Sequence, residues 1–308
     1  MKAKQIAVIG AGISGLVTAN ALQQRGYAVT VFERHKVIGE SWGRSVFYLG
    51  EVAQTIRKDY TFYDNSMPPL SGEWPDGEEM QQYLQAYASK NRLYQCISFC
   101  TTVQKIHSEM TGWKIGAWNS DNNQYIEQEF DAVVVCTGFE ADSYCHANTG
   151  TAIRFKGDLV NIMLHSRECW RLYRDIGVAD SGSIGFVGMN GGLYFTLTAT
   201  IAAHWMAAYL SGEIQPPGHM ATRDRFRRYS KKKELSRLIR YLNLLLKDMG
   251  SVPPAAGNIL RRLLGQPFNP EAYIDALNRV LLIHDLPSYS ISNAGKQLKT
   301  MAYRSNNR

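Results

Sequence analysis

Within its first 33 residues the chain sets an apolar pentapeptide, three spaced glycines, a helical repeat and a second apolar pentapeptide that ends in an acid. Gln5–Ile9 leads into Gly10, Gly12 and Gly15, Leu16, Ala19 and Leu22 follow at helical spacing, and Gly26 stops the helix. Ala28–Phe32 is the second strand, and Glu33 stands 18 residues after Gly15. The string Gly-x-Gly-x-x-Gly is common by itself; with strand, helix, strand and terminal acid around it, the pattern specifies a parallel β-α-β unit. Such glycines let backbone amides at a helix N-terminus approach a pyrophosphate, and the acid accepts hydrogen bonds from an adenosine ribose. Lys2, Lys4 and the apolar run behind them also imitate a signal peptide, but the glycines are better explained by the nucleotide unit.

The remaining chain extends this sheet. Residues 78–89 have helical spacing, and residues 96–135 break into short stretches (ISF, TTVQKI, GWKIGAW, YIEQEF) separated by turn residues such as Asp121, Asn122 and Asn123. These predict a β-meander. Residues 132–136 are apolar throughout, as in a central parallel strand, and residues 183–187 form a last buried strand. A glycine-rich loop then enters a long apolar helix over 193–211, whose threonines and His204 favour a buried helix over a membrane span. No strand with a terminal acid follows, so this loop, with Gly188 and Asn190, is expected to offer amide donors to an already bound cofactor. Further helices are expected near 232–248, 256–265 and 270–283. The domain reading is a nucleotide-binding domain over 1–212, a helical extension over 213–287 and a mobile polar tail over 288–308.

With 45% hydrophobic and 20% charged residues, the 308-residue chain is neither disordered nor fibrous. Its five cysteines show no Cys-x-x-Cys or metal-ligand spacing, which argues against a disulfide scaffold or structural zinc and for a reducing cytoplasm. The net charge of +7 is concentrated in residues 223–240, where nine basic side chains face Asp224 and Glu234. This segment runs into Leu235, Leu238, Ile239, Leu242, Leu245 and Leu246, as in a basic amphipathic helix. A solvated surface helix is one reading; docking through residues 223–246 onto an anionic membrane surface or an acidic redox partner is the other. No nucleic-acid recognition motif accompanies the charges.

The chain resembles the flavin-containing monooxygenases over roughly residues 4–140 and 172–212. The likeness rests on Gly10, Gly12 and Gly15; on Phe32, Glu33 and Arg34; and on Gly39, Glu40, Ser41 and Trp42, where Glu40 stands in place of a family glycine. Phe62, Tyr63 and Asp64, then Trp74 and Pro75, then Tyr83, Leu84 and Tyr87 follow in family order. So do Phe99 to Val103, Cys136 to Phe139, Leu172 to Arg174 and Ile184 to Gly188. The resemblance implies an α/β, Rossmann-like FAD-binding domain of the glutathione-reductase type, with a parallel sheet plus β-meander and a helical C-terminal part. It implies FAD contacts by Ser14, Arg34, Trp42, Thr137, Gly138, the segment 172–174 and the backbone of Val103. Gln54 takes the place of the family's active-site asparagine, near the reactive flavin edge. The aromatic residues Trp42, Phe47, Tyr48, Tyr60, Phe62, Tyr63 and Trp74 are candidates to line an apolar substrate cavity, with core packing the other reading for each of them.

One departure is large. The family's inserted NADPH-binding domain, with its second glycine fingerprint, is missing between the strands at 132–136 and 183–187. The resemblance then implies that electrons come from a separate reductase or ferredoxin, or from NAD(P)H visiting transiently, and that a C4a-hydroperoxide formed with oxygen oxygenates an N, S or C centre of a small molecule. Water exclusion around the flavin needs a source other than that domain. Two alternatives stay open: an FAD-dependent oxidase or dehydrogenase reduced by its own substrate, and a non-catalytic FAD-binding partner protein. His165 and His204 are isolated in sequence and carry no assigned role.

Overall fold

The computed structural model describes residues 4–42, 56–65, 67, 73–137, 153–154, 161–162, 172–174, 176–178, 182–188, 194–215, 231–254 and 268–289. Strand β1 (Gln5–Ile9), helix α1 (Ile13–Gln24) and strand β2 (Ala28–Phe32) form the expected opening unit, with β1 and β2 parallel and Ile9 opposite Phe32. Helix α2 (Arg57–Tyr60) is a single turn. Helix α3 (Gly77–Lys90) starts at Asp76, whose carboxylate accepts the Glu79 amide while the Glu79 carboxylate accepts the Asp76 amide. This reciprocal cap satisfies two helix-end donors and sets the entry to the helix.

Strand β3 (Ile97–Ser98) extends the sheet beside β2, and β4 (Thr101–Glu109), β5 (Gly112–Asn119) and β6 (Gln124–Phe130) form the antiparallel meander. Strand β7 (Ala132–Val135) returns to the far side of β1. β8 (Ile153–Arg154) and β9 (Asn161–Ile162) pair as a small ladder, followed by β10 (Leu172–Tyr173), β11 (Gly177–Val178) and β12 (Ile184–Phe186). The main sheet has the order β10-β11-β12-β7-β1-β2-β3. β7 and β12 are therefore direct parallel neighbours, with Val133 opposite Ile184. Among the described residues between them, no second strand-helix-strand unit intervenes.

Alternation along the central strands builds two cores. Ile6, Val8, Ala132 and Val134 face helices α1 and α3 together with α4 (Phe195–Leu210), α5 (Lys231–Asp248) and α6 (Glu271–Ile283). Ala7, Ile9, Val133, Val135, Ile184 and Phe186 face the meander, where Phe32 meets Phe130 edge to face at 5.8 Å. Because side chains on a strand point alternately to opposite faces, a strand covered on both faces reads as continuously apolar, which is why β1 and β7 show no polar side.

Helix α4 is buried on nearly every side, which accounts for its membrane-like composition. No helix among the described residues is long and apolar enough to cross a membrane. α5 buries Leu238, Leu242, Leu245 and Leu246; residues 223–230 of the basic segment and the helix expected over 256–265 lie outside the described residues. The expected tail is corrected at its start. Tyr289 is buried, its amide donates to Asn278 Oδ1 and its carbonyl accepts from Asn278 Nδ2, both at 2.8 Å. Packing on α6 thus continues at least through Tyr289.

Candidate functional site

Seven of the residues read from the sequence converge at the head of α1: Gly10, Gly12, Ser14, Gly15, Glu33, Thr137 and Gly188. Gly10 donates its amide to Phe32 O at 2.8 Å, tying the loop to the end of β2. A Cβ on Gly15 would fall 1.8 Å from the Gly10 carbonyl oxygen, so only glycine permits the tight turn into the helix. Thr137 follows the end of β7 and abuts the same loop, its Cα 3.6 Å from the Cβ position of Gly10.

Three observations test whether this loop fits a dinucleotide. A Cβ on Gly12 would meet none of the described residues within 4 Å, so none of them crowds the outer side of the loop. α1 has neither a side-chain cap nor an acidic residue in its first turn, which leaves its positive end available to an anion. The Ser14 hydroxyl is buried yet has no hydrogen-bond partner among the described residues. A buried hydroxyl without a partner costs about 1–3 kcal/mol, and a phosphate oxygen at the helix terminus would relieve that cost. Gly188 closes on the same hydroxyl. Its φ is +91°, and a Cβ there would lie 2.1 Å from Ser14 Oγ and 3.6 Å from Phe195 Cζ. The residues present fit FAD.

Glu33 does more than the sequence suggested. Its buried carboxylate accepts the Ala11 amide at 2.7 Å on Oε2 and the His35 amide at 2.9 Å on Oε1. It therefore braces the glycine loop, and the lone pairs left on the two oxygens are what a ribose can use. Arg34 is exposed beside it, with Nε donating to His35 Nε2 at 2.9 Å. Val103 is buried on β4 in the core patch that contains Phe32, next to an irregularity in the β4–β5 register. Trp42 packs edge to face on Tyr60 at 5.4 Å. Gln54, Gly138 and Asn190, like Phe47 and Tyr48, lie outside the described residues.

Other expectations are corrected. Phe62 does not line a cavity: it is buried against Tyr83 at 5.4 Å and Tyr87 at 4.1 Å, while Trp74 is exposed. Tyr83 accepts the Phe62 amide at 2.6 Å and donates to the Asn65 carbonyl, and Tyr87 accepts from Asn20 Nδ2 at 3.0 Å. The segment 172–174 is engaged elsewhere than at the cofactor loop, because Tyr173 and Arg174 both bond Asp248 of α5. His204, isolated in sequence, is a buried structural residue with a distant partner. Its Nε2 lies 2.7 Å from the Tyr289 hydroxyl, its buried Nδ1 has no partner among the described residues, and burial, with Arg25 adding to it, lowers its pKa to about 3. Burial pushes the Cys136 thiol up to about 12, so it is no nucleophile.

An aromatic group stands where α4 begins. Tyr194, at φ +57° before the first turn, sets its ring 4.8 Å from Phe268, and Phe268 in turn lies 5.5 Å from Tyr273 of α6. Left-handed backbone at a residue with a side chain costs about 1–2 kcal/mol and persists only where the surroundings hold it. Neither the pattern of α4 nor that of α6 announced this contact.

A family model described as flavin-binding monooxygenase-like matches residues 3–193. Flavin-containing monooxygenase 1 from Sus scrofa is 29% identical over 200 residues, 61% of this chain and 36% of that protein. Dimethylaniline monooxygenase (N-oxide-forming) 2 from Macaca mulatta is 32% identical over 180 residues, 54% of this chain and 32% of that protein. The chain thus spans about a third of the length of these curated relatives. Among solved structures, S-allyl-L-cysteine S-oxygenase from Allium sativum aligns over 99% of this chain and 98% of its own, with a TM-score of 0.57 at 16% identity. Tmm from Pelagibacter sp. strain HTCC7211 aligns over 92% and 86%, with a TM-score of 0.55 at 14% identity. These two share the fold. With a matched family model over most of the chain and a glycine loop that fits the dinucleotide, the chain belongs to the flavin-binding monooxygenase-like family, and its cofactor is FAD.

Proposed function

We propose that this protein is an FAD-dependent oxidoreductase of the monooxygenase type, which oxygenates a nitrogen or sulfur centre of a small molecule. The observation that carries this is the buried, unpartnered Ser14 hydroxyl under Gly188, at the uncapped head of α1, in a chain of this family. FAD, when bound, supplies the redox chemistry and the activation of oxygen. The chain's own residues hold it: the Gly12 face admits the pyrophosphate, Ser14 donates to a phosphate oxygen, and Glu33 accepts from the ribose while bracing the loop.

Electrons come from a separate reductase or ferredoxin. The direct pairing of β7 with β12, with no second nucleotide unit among the described residues between them, supports this. The basic segment over 223–240 suits an acidic donor of that kind, since charge complementarity speeds encounter. The free thiols of Cys96, Cys100 and Cys136 suit a reducing cytoplasm.

The test is anaerobic reduction of the FAD-loaded protein with NADH, with NADPH, and with a reduced ferredoxin or reductase system, followed by oxygen and candidate amines or sulfides. The expected result is bleaching by the partner system alone, then an oxygenated product. Rapid bleaching by a nicotinamide alone would overturn the donor assignment, and failure to retain FAD would overturn the whole reading.

A further inference from the structure

We propose that Phe268 is a positioning residue of the flavin site: the C-terminal helical part lays its ring over Tyr194 to close the redox end of the cofactor cleft against water. This rests on the FAD reading above. The placement follows from a continuous line of contacts. Gly188 sits on Ser14 of the cofactor loop, and the Phe195 ring lies 3.6 Å from the Cβ position of Gly188. Tyr194 is the next residue back, and its ring meets Phe268 at 4.8 Å. Phe268 is backed by Tyr273 of α6, whose hydroxyl lies 3.2 Å from Asn243 Oδ1 on α5.

The direction matters. A dinucleotide whose pyrophosphate lies at the head of α1 places its adenosine toward Glu33, so its other half runs toward Gly188 and the head of α4. That is where the aromatic cover stands. Phe268 and Tyr273 lie beyond residue 193, where the family match ends, in the helical C-terminal part.

Two further features agree with a built site. Tyr194 is held in left-handed backbone, a strain that tends to be stored at functional positions. Neighbouring Tyr63 is largely buried, and Asp59, Tyr194 and Glu271 add to the effect of burial in raising its phenol. A reduced flavin that activates oxygen has to be kept from water if the oxygen is to reach a substrate. An aromatic cover carried by α6 does this without a nicotinamide domain.

The experiment compares the FAD-loaded wild type with Phe268→Ala, Phe268→Leu and Phe268→Trp. FAD content is measured first, then the fine structure of the visible flavin band and collisional quenching of flavin fluorescence by acrylamide, a neutral probe. With FAD content unchanged, Phe268→Ala is expected to raise the quenching constant severalfold and blur the band, and Phe268→Trp to behave as wild type. Quenching and band shape unchanged in Phe268→Ala overturn the proposal. Should Phe268→Ala fail to fold, Phe268→Leu decides on the same readouts. A wild-type protein that takes up no FAD overturns the FAD reading itself, an outcome separate from the failure of the cover.

Discussion

Arg174 turns the edge of its guanidinium to Asp248, with Nε 2.7 Å from one carboxylate oxygen and Nη2 2.8 Å from the other. Trp205 Nε1 donates to the same carboxylate at 3.1 Å, and the Tyr173 hydroxyl lies 3.3 Å from it. One acid at the end of α5 thus gathers donors from β10, from the residue after it and from α4. Both partners of the ion pair are largely buried, so the pair is a joint between the sheet and the helical extension. Asp248→Ala leaves the Arg174 charge and the Trp205 N–H without their acceptor. The expected loss is about 3–5 kcal/mol, the usual cost of breaking a buried pair from one side. Denaturant unfolding checks it; a loss under about 1 kcal/mol, as for a surface pair, refutes the joint.

Gly188→Ala sets a methyl group against Ser14 Oγ in a backbone conformation that disfavours side chains. Backbone strain alone is worth about 1–2 kcal/mol. The thermal midpoint and the FAD content are expected to fall together, whereas Ser14→Ala should lower FAD affinity and leave the fold as stable or more so, because a buried unpartnered hydroxyl is removed. Ser14→Ala with wild-type FAD affinity would show that the hydroxyl does not meet the phosphate.

Glu33 serves two partners, so its variants should separate two effects. Glu33→Ala frees the Ala11 and His35 amides, and the expected cost is about 1.5–3 kcal/mol of stability, the range for hydrogen bonds to charged groups, along with loss of FAD. Glu33→Gln keeps the shape and one acceptor oxygen. It should fold better than Glu33→Ala and still hold FAD more weakly than wild type. Equilibrium dialysis of FAD against both variants decides, and unchanged retention in Glu33→Ala removes the ribose contact from the account.

His204 makes acid stability readable. Burial, helped by Arg25, holds its pKa near 3, below the 6.5 of an exposed imidazole, so the unfolded chain binds more protons than the folded one between those values. Stability therefore rises with pH across this window: the contribution is complete above about pH 6.5 and drains away as pH falls toward 3, by at most about 1.4 kcal/mol per pH unit. His204→Gln keeps a partner for the Tyr289 hydroxyl and removes the titration. Urea unfolding at a series of pH values should give a shallower decline between pH 6 and 4 for the variant; parallel curves would contradict the buried neutral imidazole.

The opening unit, the meander, the cap-to-cap extent of α3 and the buried character of α4 follow from interactions within a few residues. Glycines impose a turn, alternation assigns the faces of a strand, and helical spacing brings Tyr83 and Tyr87 onto one face of α3. These signals are local, so the linear order of residues carries them. The convergence of Gly10, Ser14, Glu33 and Gly188 was legible for the same reason, since Gly10, Glu33 and Gly188 follow the ends of strands that the pattern already placed and Ser14 stands in the first turn of the helix between two of them.

The pairs that join the halves of the molecule have no local signature. Arg174 and Asp248 are 74 positions apart, and His204 and Tyr289 are 85 apart. Nothing in the neighbourhood of either partner distinguishes an aspartate that will meet a guanidinium from one that will meet water. That choice is made when α4, α5 and α6 pack on one face of the sheet and exclude solvent, because only then does an unpaired polar group become costly. The same packing brought Phe268 to Tyr194 and set Phe62 in the core. A run of apolar residues prescribes that a helix will be buried, and shape complementarity among several helices at once selects which side chains it meets.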